Sequence, residues 1–406
     1  SRAWFETLGL KLNFFGWRCA VYYKEGQALH FICMLIFFFL SSHFVCFIYA
    51  RSSHLLYRQR AHVQVVVGGS VVDTVVSCTE DRVQLNGSTH AGHICTTWGG
   101  VGRNVADCLA RLLADRVRFV SAVGADDRHA EALLQHNPLL DTGGVVRVEG
   151  ARTASYCTLL DRRGDCLFGV GDMQVHRHIS PQLVRENEEH IARAPVVIFD
   201  GNLPEETIAC LLRICGQRRV PAFFEPTDVR KAVKPFVTDA WHHLSAVSPN
   251  LAELRAMLSA LQTALGTAEP TGMAAVGPVQ EGALLGSRLA QHIPLVLVTL
   301  GAHGALLIQR RQQEAVGQEA ATVMHYPATK VEQVQSVSGA GDCLAGGFLG
   351  GLVLGLPWDR CMGAGMMAAR RSLMSSETVP ETVGPDCLDA ICTPRPVELR
   401  RLGETQ

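Results

Sequence analysis

The sequence predicts an α/β fold: a mainly parallel sheet with helices on both faces and a smaller β lid. Two observations carry that expectation. Short β-branched runs recur between residues 63 and 300 with helical stretches between them, an alternation that builds right-handed βαβ units. Polar residues (Asp73, Asp200, Asn202, Glu225, Asn250 and Thr299) fall just after such runs. In open parallel sheets, ligands bind beyond the carboxyl ends of the strands.

Taken in order, "HVQVVVGGSVVD" opens the regular pattern at residue 63, where a buried strand stops at Gly68-Gly69. Further strands are expected at 117 to 123, 195 to 200, 220 to 225, 243 to 247 and 294 to 300, and helices at 102 to 115, 127 to 136, 181 to 193, 204 to 217, 249 to 265 and 282 to 291. Residues 71 to 97 and 145 to 170 hold short alternating runs that read as a small antiparallel sheet or lid. Residues 266 to 281, rich in Gly, Pro and small side chains, read as a surface loop. Residues 63 to 380 are thus expected to form one folded domain, followed by a tail at 381 to 406.

Composition narrows the function classes. The 406 residues are 48% hydrophobic and 18% charged, which suits a sizeable core, and a formal net charge of -1 supplies no basic patch for nucleic acid. A small molecule is the expected partner. The 14 cysteines form no CxxC pair, and Cys210 with Cys215 and Cys387 with Cys392 lack a usual zinc spacing. Free thiols in a reducing, cytoplasmic compartment are expected.

Residues 1 to 62 differ from the rest. The stretch "LHFICMLIFFFLSSHFVCFIYA", 29 to 50, is apolar, free of formal charge and long enough to span a bilayer. Lys11, Arg18 and Lys24 before it balance Arg51, Arg58 and Arg60 after it, so charge assigns no orientation. Two readings stand: a membrane anchor, or an N-terminus foreign to the domain. Membrane contact depends on the first, and a mitochondrial location is a further alternative.

The chemistry concentrates in "SVSGAGDCLAGGFLGGLVLGLPW", residues 336 to 358. Its apolar run from 343 to 356 is too short for a bilayer core of roughly 20 residues. Gly346, Gly347, Gly350 and Gly351 each oppose a helix by about 0.8 to 1 kcal/mol unless close packing offsets them, so something is expected against that face. Gly339-Ala340-Gly341 can turn and leave backbone N–H groups free for an anion at a helix start, with Asp342 beside it. A glycine-rich turn with a capping Asp is the plain alternative.

Other parts of the chain carry a family resemblance. "WGGVGRNVADCLARL" (98 to 112) with Gly124 in "SAVGADD", "VSPNLAEL" (247 to 254), "VTLGAHGALL" (298 to 307) and the GAGD stretch together resemble, in order, the motifs of the ribokinase-like, or PfkB, kinases of carbohydrates and nucleosides. The resemblance covers about residues 63 to 375. It implies a three-layer ribokinase-like fold and an ATP-dependent phosphotransferase.

By that resemblance Asp342 is the catalytic base, and Gly339, Ala340 and Gly341 form an anion hole for the transferring phosphoryl group. Asp73, Gly99, Gly100 and Asn104 bind the acceptor. Asn250 and Glu253 organise Mg²⁺ and nucleotide phosphates through water, and Thr299, Gly301 and Gly304 line the ATP site. Plain alternatives are a Pro-Asn helix cap with an exposed Glu253 and a simple hairpin turn. Ser336 and Val337 replace the family's Asp-Thr, positions that often help hold a monovalent cation or sugar, so a K⁺ requirement is left open. A homodimer through the lid is also implied.

"FFEPTDVRKA" (223 to 232) and "FDGNLPEETI" (199 to 208) are most similar to the eukaryotic pseudouridine kinase branch. That implies the 5′-hydroxyl of pseudouridine as acceptor, with Asp200 and Asn202 near it. In many such relatives a glycosidase domain precedes the kinase, and the first 60 residues here are read as replacing it. Another PfkB kinase of ribokinase or adenosine-kinase type, and an inactive membrane-tethered binding module, are the alternatives.

Overall fold

Val65, Val66 and Val67 have no exposed surface, as expected of a strand covered on both faces. They belong to the first strand of the larger unit, Ala61–Gln406, in a computed structural model that describes residues 64–397 apart from 81–82, 85, 126–127, 164–165, 268–276 and 312–320. It also describes a two-strand ladder, Asn13–Phe14 with Trp17–Arg18, in a separate unit, Ser1–Arg60. The apolar stretch at 29 to 50 lies outside the described residues. Among those described, no helix is long and apolar enough to cross a membrane.

The strands, in chain order, are β1 (Gln64–Val67), β2 (Val71–Cys78), β3 (Gly92–Gly99), β4 (Val117–Gly124), β5 (Leu140–Val148), β6 (Ser155–Leu160), β7 (Cys166–Asp172), β8 (Val197–Asp200), β9 (Ala222–Glu225), β10 (Leu244–Val247), β11 (Leu295–Thr299), β12 (Ala305–Arg310), β13 (Ala321–Tyr326) and β14 (Arg395–Pro396). The helices are α1 (Val101–Leu113), α2 (Arg128–Gln135), α3 (Pro181–Glu186), α4 (Glu188–Arg193), α5 (Glu205–Arg218), α6 (Leu251–Leu265), α7 (Pro278–Ala290), α8 (Ala340–Val353) and α9 (Trp358–Leu373).

Ten strands form one sheet in the order β14-β13-β12-β11-β10-β9-β8-β1-β4-β5. It is parallel from β11 to β5 and antiparallel at β12, β13 and β14. Every residue of β1, β8 and β9 is buried. At the centre the Phe199 and Phe224 rings meet at 5.0 Å, a contact whose loss to Ala costs about 3 to 5 kcal/mol.

Three local expectations differ from what forms. The helix expected at 181 to 193 breaks at Asn187, whose Nδ2 donates to the Leu183 carbonyl while its Oδ1 accepts from Arg118 of β4. The side chain competes with the backbone at the end of α3, and the same residue stands at the N-cap of α4. The loop expected at 266 to 281 ends sooner, because Pro278 starts α7, a position where its missing N–H costs nothing. In the lid, residues 140–148 join the large sheet instead, leaving β3-β2-β6-β7 as the small one. That small sheet is not wholly antiparallel: β2 and β6 run parallel.

The glycines of α8 are explained by its neighbours. A Cβ on Gly346 would lie 2.8 Å from Cys108 of α1, and one on Gly347 or Gly351 would lie 2.6 Å from Gly365 or 2.8 Å from Cys361 of α9. The helix is wedged between two others, and its small residues permit that approach. After α9, Cys387 is buried and β14 pairs with β13, so residues 385–396 pack on the domain.

Candidate active site

Several strand and helix ends meet beyond the carboxyl edge of the large sheet. At the end of β8, Asp200 is buried and both of its oxygens are engaged. Oδ2 accepts from the backbone N–H of Gly69 (2.9 Å) and Gly102 (2.8 Å) and from Asn202 Nδ2 (2.8 Å), and Oδ1 accepts from the Asn202 N–H (2.9 Å). Asp200 therefore ties the turn after β1 to the start of α1.

Asn202 continues outward. Its Oδ1 accepts from Lys231 Nζ at 3.0 Å, while Lys234 Nζ donates to the carbonyls of Gly201 and Leu203. Behind Gly69, His176 Nε2 donates to the Ser70 carbonyl at 3.2 Å, and burial pushes this imidazole below its ordinary pKa. These groups line a cavity of about 450 Å³ with Gly171 and Met173. The sequence reading missed Lys231, Lys234 and His176; the quoted "FFEPTDVRKA" contained the Lys231 signal, but only the fold brings it to Asn202.

On the lid side, Gly99 crosses directly over Asp73: a Cβ there would fall 1.8 Å from Asp73 Oδ2. Burial raises the Asp73 carboxyl to about 6, with Arg103 opposing the shift. Gly100 then turns the chain into α1, whose first turn carries Asn104.

Asn104 Nδ2 donates to Asp342 Oδ2 at 2.7 Å, joining residues far apart in sequence. Burial raises Asp342 to about 7; the Asn104 bond works against that, and the charges of Asp200, Asp73 and Glu253 add to it. Asp342 lies in the first turn of α8, which starts at Gly339 with no side-chain cap. The first N–H groups of such a helix have no intrahelical partner. Gly339 needs its lack of a side chain: φ is 80°, and a Cβ would lie 2.6 Å from the Thr378 carbonyl. A Cβ on Gly341 would meet nothing within 4 Å, so the space before the helix is open. Gly339→Ala should accordingly cost about 1 to 3 kcal/mol, read as a lower melting temperature, whereas Gly341→Ala should melt within a degree or two of wild type.

Across the site, Asn250 and Glu253 form a capping box at α6: Asn250 Oδ1 accepts from the Glu253 N–H (2.9 Å) and Glu253 Oε2 from the Asn250 N–H (2.8 Å). The cap is real, but Glu253 is buried rather than exposed. Burial raises its pKa despite those bonds. Glu225, at the end of β9, is pushed well above the ordinary range by burial and by the charges of Asp342 and Glu253. Thr299 bridges to Asn250, and its N–H donates to the Pro249 carbonyl at 2.9 Å. Gly301 is exposed on a short 3₁₀ turn, and Gly304 leads into β12 against the Tyr326 carbonyl. Ser336 and Val337 lie before α8, with Val337 76% exposed.

A half-buried carboxyl near neutrality beside an open helix N-terminus, with buried acids opposite, is equipped to accept a proton next to an anion. Such an arrangement suits a phosphotransferase with an alcohol acceptor. Residues 63–381 match the pfkB family carbohydrate kinases, and the chain belongs to that family. Among curated relatives, the pseudouridine kinase of Arabidopsis thaliana is 26% identical over 356 residues, 78% of this chain and 92% of that one. The pseudouridine kinase of Escherichia coli K12 is 33% identical over 197 residues, 48% of this chain and 60% of that enzyme. Among solved structures, an Arabidopsis thaliana ribokinase complexed with ribose and ATP superposes at a TM-score of 0.63, with 20% identity, 81% of this chain and 99% of that chain covered. A Burkholderia thailandensis nucleoside kinase in complex with inosine gives 0.58 at 16% identity, over 80% and 95%. These two likenesses establish the ribokinase-like fold.

Proposed function

We propose that this chain transfers the γ-phosphoryl group of ATP to the 5′-hydroxyl of pseudouridine, giving pseudouridine 5′-phosphate and ADP. The observation that carries the chemistry is the Asn104–Asp342 pair at the head of α8. The two pseudouridine kinase relatives support the acceptor.

In this reading Asp342 takes the hydroxyl proton as the acceptor oxygen bonds to phosphorus and the bond to the ADP oxygen breaks. A base near pH 7 suits that transfer. The N–H groups of Ala340, Gly341 and Asp342, at the positive end of α8, balance charge on the moving phosphoryl group. Asp73 and the Gly99-Gly100 turn hold the sugar, and Asp200 keeps that turn in place. Asn202 and Lys231 face the cavity that would take the base. Asn250, Glu253, Thr299, Gly301 and Gly304 flank the nucleotide.

The buried acids Glu225 and Glu253 suit Mg²⁺ held through water: both carboxyls are raised above their ordinary range, so a nearby cation would let them ionise. When bound, Mg²⁺ supplies neutralisation of phosphate charge. A K⁺ requirement is not part of the proposal, given Ser336 and Val337.

The small sheet supports a homodimer. Its registers align Ile94, Val76, Leu159 and Phe168 in one row across four strands, and place Val170 in the next row on the same face. Ile94 is 74% and Val170 64% exposed. Strand alternation puts this apolar face opposite the one bearing Asp73. A second copy would cover it, and sedimentation should give twice the chain mass, falling to the monomer in Ile94→Asp; a wild-type monomer at micromolar concentration removes the dimer.

The purified 406-residue chain with ATP and Mg²⁺ should release ADP faster with pseudouridine than with uridine, adenosine or ribose. Equal rates with ribose or adenosine would overturn the acceptor assignment.

A further inference from the structure

Arg103 occupies a place where a cation is costly. Its side chain is 1% exposed, and it sits in the first turn of α1, where the helix dipole disfavours positive charge. Its Nη2 donates to Asp107 Oδ2 at 2.7 Å, one turn on. Asp107 is itself fixed, accepting on Oδ1 from Arg111 Nε (2.9 Å) and Asn137 Nδ2 (2.6 Å). The guanidinium is thus held from behind, with Nη1 directed at the site. Nη1 donates to the Trp98 carbonyl at 3.0 Å and to Asn104 Oδ1 at 3.2 Å.

A carboxamide can present either an acceptor oxygen or a donor nitrogen, and the two orientations have opposite effects on a neighbouring carboxylate. Asn104 Oδ1 has two neighbours that could fix it, Arg103 Nη1 and Thr378 Oγ1, both at 3.2 Å. A hydroxyl has one proton, and Thr378 has a shorter contact for it, 2.7 Å to the Trp98 carbonyl. The donor that remains is Arg103.

We propose that Arg103 is a positioning residue, holding the oxygen of Asn104 so that the amide nitrogen faces Asp342. Without it the amide is free to rotate and set Oδ1 against the carboxylate, which opposes ionisation of the base. The other groups facing Asp342 are Asp73 from β2, Asp200 from β8, Glu225 from β9 and Glu253 from α6. All are acidic, so nothing among them would replace the lost donor. The assignment rests on Asp342 being the base.

The test is the pH dependence of kcat for the full chain with Mg²⁺, ATP and whichever acceptor is turned over fastest. Arg103→Met, Arg103→Lys, Asn104→Ala and the Arg103→Met/Asn104→Ala double variant are compared with wild type. Arg103→Met should move the acid limb upward by about one pH unit and so lower kcat at pH 7 about 5- to 10-fold, with KM for ATP changed less than about twofold. In the double variant the limb should coincide with that of Asn104→Ala, because the effect passes through Asn104. An unmoved limb in Arg103→Met, even with a lower melting temperature, or a further shift in the double variant overturns the proposal. If Arg103→Met does not fold, Arg103→Lys decides alone: it keeps the charge but not the planar fork, and should shift the limb the same way. An unmoved limb there overturns the proposal. Wild-type turnover in Asp342→Asn would instead remove the base itself, a separate failure.

Discussion

Asp342→Asn should lower kcat by about 10²- to 10⁴-fold, the usual share of a general base, with KM for ATP little changed. The same substitution should raise the melting temperature. The folded-state pKa of about 7 stands above the ordinary 3.8. Between those values the native state binds more protons than the unfolded state, so this group's contribution to stability falls as pH rises. Above pH 7 the full penalty applies, on the order of 2 kcal/mol after allowing for partial solvent contact at the mouth of the site. Replacement by the neutral amide removes it. Melting curves at pH 8 should show a gain for Asp342→Asn, and curves at pH 4 little difference. A melting temperature equal to wild type at both pH values would contradict the strained-carboxyl account.

Asp107→Ala should be strongly destabilising, by about 3 to 5 kcal/mol. The Asp107 side chain has no exposed surface and accepts from Arg103, Arg111 and Asn137. Its loss leaves the Arg103 guanidinium buried without a counter-charge, which costs far more than the net value of the pair. Denaturant unfolding should show a lower midpoint with an unchanged slope. By contrast, Glu189→Gln removes an exposed i,i+4 partner of Arg193 and should change stability by less than about 0.5 kcal/mol. Similar losses from the two substitutions would contradict the account of a buried anchor behind α1.

Much of the architecture was legible because strand period and helix period are local properties. The valines at 65 to 67, the runs at 117 to 123 and 294 to 300, and the glycines of α8 all led to elements found within a few residues of expectation. What was not legible depended on partners distant in sequence. Nothing local tells that Arg118 will take the side chain of Asn187 and split a helix, or that β2 will pair in parallel with β6. The site shows the same division. Asp342, Asn104, Asn250 and Glu253 lie in spaced motifs, and the fold brings Asn104 to Asp342. Asp200 is expected near the substrate, and only the fold shows that its oxygens also tie Gly69 to Gly102. Glu253, expected to organise a metal, is also a buried cap. Arg103 carries no signal of its own within 98 to 112, because its hydrogen bonds to Asp107 and to the oxygen of Asn104 exist only in the fold.

The central claim is that Asp342 serves as the base for phosphoryl transfer to a primary hydroxyl of a nucleoside. Its most direct test is the product formed by the 406-residue chain from pseudouridine, ATP and Mg²⁺, with phosphorus NMR locating the new ester and ADP counted alongside. The account predicts a single 5′-monoester, one ADP per ester, and almost none of either from Asp342→Asn. An ester at another oxygen, ADP released at the same rate without acceptor, or an undiminished yield from Asp342→Asn would contradict it.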